Sequence, residues 1–461
     1  MKKYLRQIGF VLGVAVFLIL NFTNLPGKIS SQGQICLALS MMVVIWWAFQ
    51  VAQSGFSSGV YLALLAVMGV ADYTVIFSAW TSPTVYLVIG AYLIADAVRA
   101  SGLGERIAYQ IILKFVKNFR STIVSIFIIT FILSLLIPHP WPRAFLIMAV
   151  MMVLIDSAKI PKEDATKIGF TVFAASVPVS LVFLTGDALI SPLAVASSGM
   201  ELSWLGWFAM MGLPSIVCSI LTLILILILF KPSQEIVLDK RAIQEKLTAL
   251  GKFTNMERRT LIWLTVAVAL WLTDSIHGIH IGWITLLIPM FMSMPIIGGI
   301  LTPKSWSSVP VHVLIFFTAA MAIGKVGAVT GMNDWIASTI MPPVMPSNLF
   351  LFAALMTVIA VIIHMLLGSV IAVMGVAIPA ALTATASMEL NPLVPTMLIY
   401  MAIAAHYVLP FQHLNMLVGS GKENGMYGQA ETIRLGLPLT VVMFIVNVFV
   451  AIPWWKILGY I

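Results

Sequence analysis

Residues 90–108 read GAYLIADAVRASGLGERIA, and residues 319–337 read AAMAIGKVGAVTGMNDWIA. The two stretches align without a gap, with Ser101-Gly102 opposite Thr330-Gly331 and Ile107-Ala108 opposite Ile336-Ala337. Two shorter phrases return in the same order: residues 195–199 (VASSG) as 417–421 (LVGSG), and Gly212-Leu213-Pro214 as Gly436-Leu437-Pro438. A hydrophobic chain that repeats itself is built from two related halves. In secondary transporters such halves hold the substrate site where they meet.

The composition agrees. Of 461 residues, 61% are hydrophobic and only 9% charged, whereas a soluble domain carries about 25% charged residues. Apolar runs of about 20 residues recur and alternating strand patterns do not, so the expected fold is an all-α polytopic membrane protein. Its partner is the lipid bilayer, and the net charge of +8 is not read as nucleic-acid binding. Cys36 and Cys218 both fall in apolar runs, which argues against a structural disulfide. The N-terminus, MKKYLRQIGFVLGVAVFLIL, has the basic start and apolar core of a signal peptide. No small-x-small site follows, so it is read as a retained first span.

Apolar runs place eleven crossings near 8–22, 36–53, 58–79, 83–100, 167–195, 205–230, 260–276, 280–298, 310–328, 393–419 and 434–455. Two further apolar segments, 121–156 and 349–384, are too long for one crossing and are broken, at Pro138-His139-Pro140-Trp141-Pro142 and around Gly368-Ser369. Each is expected to be a re-entrant hairpin, whose tip is tolerated at membrane depth only where it is buried in protein or lines a cavity. With the N-terminus in the cytoplasm and the C-terminus outside, all of the 25 Lys and Arg fall inside except Lys28, Lys456, Arg143 and Lys325. That asymmetry obeys the positive-inside rule and makes the two repeats inverted. The expected units are 1–35, an N-terminal span and loop; 36–230, the first repeat; 231–259, a cytoplasmic linker holding many of the charges, Lys422 lying in a later cytoplasmic loop; and 260–461, the second repeat.

This pattern resembles the divalent anion/sodium symporter family of the ion transporter superfamily, over about Trp46 to Pro453. The closest segments are Leu270–Gly278 (LWLTDSIHG), Leu301–Trp306 (LTPKSW) and Thr330–Ala337 (TGMNDWIA). The resemblance implies a homodimer in the inner membrane, a scaffold with a transport domain moving as an elevator, and a small anionic substrate, di- or tricarboxylate-like, held between two hairpin tips and two unwound spans. The family's Ser-Asn-Thr tip motif is diverged here. At the second tip Ser369 matches while Val370 and Ile371 replace Asn and Thr; at the first, Pro138, His139 and Pro140 take the three positions. The unwound spans read Leu184-Thr185-Gly186-Asp187-Ala188 and Pro410-Phe411-Gln412-His413-Leu414-Asn415. Loss of motif oxygens points to transport that is not strictly sodium-dependent. No cofactor is expected beyond a coupling ion, Na+ or H+.

The substrate-binding candidates are Arg143, His139, Ser369, Thr185, His413 and Asn415. A charge at membrane depth is costly and should be paired or functional. The planar fork of Arg143 suits a carboxylate or sulfonate, although internal pairing, with Asp187 for instance, is the alternative. Asp187, His139 and His413 are the candidates for ion or proton coupling. His364 and His406 fall in the same cluster, where a lone histidine is most simply a hydrogen-bonded core residue. Asp96 and Lys325 occupy equivalent places in the two repeats and are read as structural. No close His/Cys/Asp spacing supplies a metal site. An integral membrane enzyme would need a nucleophile–base or phosphate-loop motif, and the chain has none of those sought. A cation/proton antiporter of the same superfamily is the nearer rival.

Overall fold

The computed structural model describes residues 2–27, 29–233, 240–340, 345–421 and 423–461; Lys28 and Lys422 lie outside them, as does the middle of the linker. Among the described residues nine helices are long and apolar enough to cross a membrane, and four further apolar helices are shorter. The protein is a multi-pass, all-helical membrane protein. Cys36 and Cys218 are free and buried.

The chain opens with α1 (Lys2–Phe22), which lies along α2 (Ser31–Ala48) and stacks Phe10 on Trp46 at 5.5 Å. Then follow α3 (Ser54–Val67), α4 (Pro83–Ser101) and α5 (Leu103–Phe115). Gly102 ends α4 at φ +77°, the left-handed backbone that favours glycine, and Gly331 ends its counterpart at φ +75°. Next come α6 (Phe119–Leu136) and α7 (Pro140–Ser157), both lying against α8 (Lys162–Ser180). After a break the chain resumes as α9 (Ile190–Ser197) and α10 (Trp204–Leu229).

The linker contributes α11 (Arg241–Ala249), which packs on α5. Here Arg106 grips Glu257 with two nitrogens, at 2.5 and 3.1 Å, and also donates to the carbonyl of Gly251 at 3.1 Å. Burial by itself would raise the Glu257 carboxyl, but the hydrogen bonds from Arg106 and Thr254 hold it below the usual carboxylate range.

The second half runs α12 (Asn255–Leu272), α13 (Ile281–Ser293), α14 (Val311–Thr330) and α15 (Met332–Ile340). Then α16 (Leu349–Leu367) and α17 (Val370–Thr385) both lie against α18 (Leu393–Ala404). The chain ends with α19 (Leu414–Gly419) and α20 (Gln429–Ile457). The order matches that of the first half, and α4 packs on α13 as its counterpart α14 packs on α3. Asp96 pairs with Arg99 one turn on, not with Lys325. A π-helical turn in α10, Phe208–Gly212, leaves carbonyls that receive indoles from α20: Trp454 donates to Ala209 at 2.6 Å and Trp455 to Met210 at 2.8 Å.

Candidate functional site

Two spans are interrupted at the centre of the molecule. In α8, Pro178 removes one backbone donor near the end. Leu181 and Val182 then fall back on the carbonyls three residues behind, and the chain turns through 181–189 before α9. Gly186 is required in that turn, because a Cβ there would stand 2.4 Å from the Ser180 carbonyl oxygen. The second break, 405–413, separates α18 from α19. The interrupted spans cross: α9 packs on α18 and α19 on α8. Ser191 bonds to the Tyr400 hydroxyl at 2.8 Å, and Asn415 Nδ2 donates to the Phe173 carbonyl at 2.7 Å.

The joint between α6 and α7 is Ile137-Pro138-His139. Pro138 cannot continue α6, and Pro140 and Pro142 open α7 without backbone donors. Trp141 N–H, between them, goes to His139 Nδ1 at 3.2 Å. Since Nδ1 accepts, His139 carries its proton on Nε2, 2.8 Å from the Tyr92 hydroxyl. Arg143 is fully buried. It donates to the Ile137 carbonyl at 3.1 Å, the Gly186 carbonyl at 3.3 Å and Ser180 Oγ at 2.5 Å. Ala188 N–H returns to the Pro138 carbonyl at 3.2 Å. The first tip is thus laced to the first break from both sides.

The joint between α16 and α17 is Gly368-Ser369. Gly368 adopts φ +62° and faces the Phe411 ring, whose nearest atom would lie 2.8 Å from a Cβ. Ser369 Oγ caps α17 by accepting from Ala372 N–H at 3.4 Å. The N–H groups of Val370 and Ile371 precede the first intrahelical bond and have no partner among the described residues. His413 repeats the role of His139, accepting from Asn415 N–H on Nδ1 at 3.2 Å to cap α19.

Between these four segments lies a cavity of about 480 Å³. His139, Pro140 and Trp141 line it from the first tip; Asp187, Leu189 and Ile190 from the first break; Gly368 to Ile371 from the second tip; and Phe411 to Asn415 from the second break. Trp47, Gln53 and Phe316 close it on the side of α2, α3 and α14, and Arg6 of α1 reaches it too. Of the residues singled out in the sequence, the structure brings His139, Asp187, Ser369, His413 and Asn415 together here. Asn415 Oδ1 is buried with no partner.

Two residues are placed elsewhere. Thr185 points away and accepts from the Trp204 indole at 3.1 Å. Arg143 sits behind the lining, its two terminal nitrogens given to carbonyls and a hydroxyl and its Nε without a partner among the described residues. The expected alternative, pairing with Asp187, is not made either. Among the described residues no ion pair joins them, and Asp187 Oδ1 instead caps α9, accepting from Leu189 and Ile190 N–H at 3.1 and 3.3 Å. Sequence reasoning missed Trp47, Gln53 and Arg6, which are distant in the chain from any broken span. It also missed the backbone donors of Val370 and Ile371, which no side-chain letter reveals.

An all-helical membrane protein whose interrupted spans cross at a cavity has the architecture of a secondary transporter. Residues 5–461 match the sodium:sulfate symporter transmembrane region, and the chain belongs to that family. A membrane protein of Cupriavidus necator is 21% identical, the alignment covering 98% of this chain and 93% of that one. The chloroplastic dicarboxylate transporter 1 of Spinacia oleracea is 25% identical over 70% of this chain and 58% of its own length. The sodium-dependent dicarboxylate transporter SdcS of Staphylococcus saprophyticus is 21% identical over 72% of this chain and 69% of its own.

Proposed function

We propose that this protein is a secondary active transporter that carries a small dianion, of the dicarboxylate class, across the inner membrane. The carrying observation is the charge arrangement around the cavity. α7 and α17 direct helix N-termini at it, Val370 and Ile371 offer N–H groups unpaired among the described residues, and Arg143 stands behind the lining with no ion pair among them. Helix N-termini and free backbone donors favour an anion, and the buried guanidinium adds to that field against the opposing carboxylate of Asp187. The names of the dicarboxylate-transporting relatives support the same substrate class. The anion would meet Val370, Ile371, Ser369, Asn415 and the two capping histidines, with Arg143 acting through its field and by holding the first tip.

In this reading the two halves are inverted repeats, the pairs α6/α7 and α16/α17 are re-entrant hairpins, and the tips travel with the broken spans as an elevator against a dimeric scaffold. The N-terminus faces the cytoplasm and the C-terminus the outside. Transport does not strictly require sodium: the first tip keeps none of the side-chain oxygens of the family motif, and the second keeps only Ser369 Oγ, which is engaged in a cap. The second reading, a cation/proton antiporter, draws on Asp187, the one carboxylate among the described residues that line the cavity. Uptake of succinate into vesicles at fixed pH, with sodium replaced by potassium or choline, tests the first reading. Uptake that persists supports it; uptake that collapses and follows the sodium gradient defeats the sodium independence. Thermal stabilisation of the purified protein by cations but not by succinate or sulfate would favour the antiporter.

A further inference from the structure

We propose that His364 and His406 form a proton-binding site holding one proton more than two neutral imidazoles carry, and that Gln412 connects it to the cavity. His364 lies in the last turn of α16, just before the second tip, and His406 lies in the second break. Both are fully buried. Their Nδ1 atoms face each other at 3.3 Å. His364 Nε2 is 3.1 Å from the Gln412 carbonyl oxygen. His406 Nε2 is 2.9 Å from Thr440 Oγ1, and Thr440 Oγ1 is 2.9 Å from the Gly436 carbonyl oxygen.

This is a chain of contacts that ends in a carbonyl, an obligate acceptor, on both sides. The contacts are Gly436 to Thr440, Thr440 to His406, His406 to His364, and His364 to Gln412, and each needs one hydrogen. The Thr440 hydroxyl supplies one, and each neutral imidazole supplies one. One contact is therefore always left with two acceptors facing each other, which is costly when buried. One added proton fills the chain: His406 then donates to Thr440, His364 donates to Gln412, and the extra proton is shared between the two Nδ1 atoms.

Among the described residues the resulting cation has no carboxylate paired with it. Helices α16, α17 and α18 carry none, and α2 offers only Cys36. On these and the other packed elements stand Tyr400 of α18, bonded to Ser191; Tyr407 and His413 on the same break; Cys218 of α10; and Glu431 and Arg434 at the start and Lys456 at the end of α20. A charge at this depth needs a counter-charge. The adjoining place that can supply one is the cavity, where Gln412 is a lining residue. Gln412 also holds the break in shape, its Oε1 accepting from Val408 and Leu409 N–H at 2.7 and 2.8 Å. An anion in the cavity and a proton on the histidine pair then favour each other's binding. This link rests on the transport reading; the proton site itself does not.

Solid-state NMR of the full-length protein, 15N-labelled at histidine, in lipid bilayers tests both. Between about pH 8 and about pH 5, the window in which histidine ordinarily titrates, one pair of ring nitrogens is expected to become imidazolium and to show 15N–15N coupling through the shared hydrogen bond. The signal should vanish in His364→Gln and in His406→Gln. The coupling identifies the pair in the wild-type protein even if a variant does not fold. Neutral rings throughout, with or without succinate, overturn the proposal, as does an imidazolium signal that survives in both folded variants. Added succinate should shift the midpoint upward. A pair that titrates but ignores succinate and sulfate overturns the link to the cavity, while transport by anion exchange would stand.

Discussion

The two tips occupy equivalent places in the two halves and are built in opposite ways. The first is tied down by side chains: two prolines open its helix, His139 absorbs the one donor between them, and Arg143 stitches the turn to the first break. The second is left open. Gly368 makes the turn, Ser369 takes one donor, and the N–H groups of Val370 and Ile371 remain unpaired at the cavity. The same fold position is thus laced to its neighbouring break on one side and left with open backbone donors on the other.

The largest expected effect comes from cutting the anchor. Arg143→Ala leaves the Ile137 and Gly186 carbonyls and Ser180 without their donor, and each buried polar group left unsatisfied costs roughly 1–3 kcal/mol. Thermal unfolding of purified protein and uptake normalised to protein in the membrane should both fall sharply, with Arg143→Lys intermediate because it lacks the planar fork. Uptake by Arg143→Ala equal to wild type would mean that the first tip is no anchor.

A second buried latch, between α5 and the linker, serves as a control. Glu257→Gln loosens the Arg106 clamp and should cost up to about 3 kcal/mol at neutral pH, the low end for breaking a buried pair, without changing substrate affinity. Because the Glu257 carboxyl is held below the usual range, its contribution is full above that range and is lost as pH falls through the folded value. The stability gap between wild type and Glu257→Gln, measured by thermal unfolding, should therefore close in acid. A gap that stays constant or widens on acidification would contradict the clamp.

The comparison is sharpest where one tip can be given the other's chemistry. Val370→Pro places proline at the first position of α17, where the missing N–H breaks no intrahelical bond and where the first tip already has Pro140. The extended backbone of Ser369 accepts a following proline (φ −147°, ψ 119°). The variant should fold, yet lose one charge-assisted bond to the anion worth roughly 1.5–3 kcal/mol, about tenfold or more in affinity. Unchanged binding of succinate by calorimetry would take the second tip out of the contact surface. The smallest effect is expected for His139→Asn. Asparagine is a good helix cap but gives up the hydrogen bond to the Tyr92 hydroxyl, so stability should fall by only about 1 kcal/mol, and the pH profile of uptake should not move at all.

Much of the architecture was legible because its signals are local. A run of apolar residues, a proline pair or a Thr-Gly step marks a span, a tip or a break wherever the rest of the chain goes. The site was legible by position more than by role. Asp187 and His413 fall at breaks that sequence punctuation reveals, but whether a carboxylate caps a helix or pairs with Arg143 is decided by distances of a few ångströms. Thr185 stands beside Gly186 in sequence and yet turns toward Trp204, a choice made by packing. The His364–His406 contact joins α16 to the second break, and no periodicity announces it. Val370 and Ile371 read as losses because their letters report side chains, while what they bring to the cavity is backbone.

The crossing of the interrupted spans has a consequence for how the chain is made. Residues 1–230 leave the ribosome carrying the Asp187 turn, but α18, on which α9 rests, is synthesised more than 160 residues later. Asn415 of the second half in turn gives its side-chain amide to the Phe173 carbonyl of the first. Until translation delivers the second half, the nascent protein holds a polar, unwound segment in the bilayer without its cover. The first half is thus an obligate waiting state during biogenesis, and the tight lacing of the first tip, complete within residues 137–188, is what lets it wait.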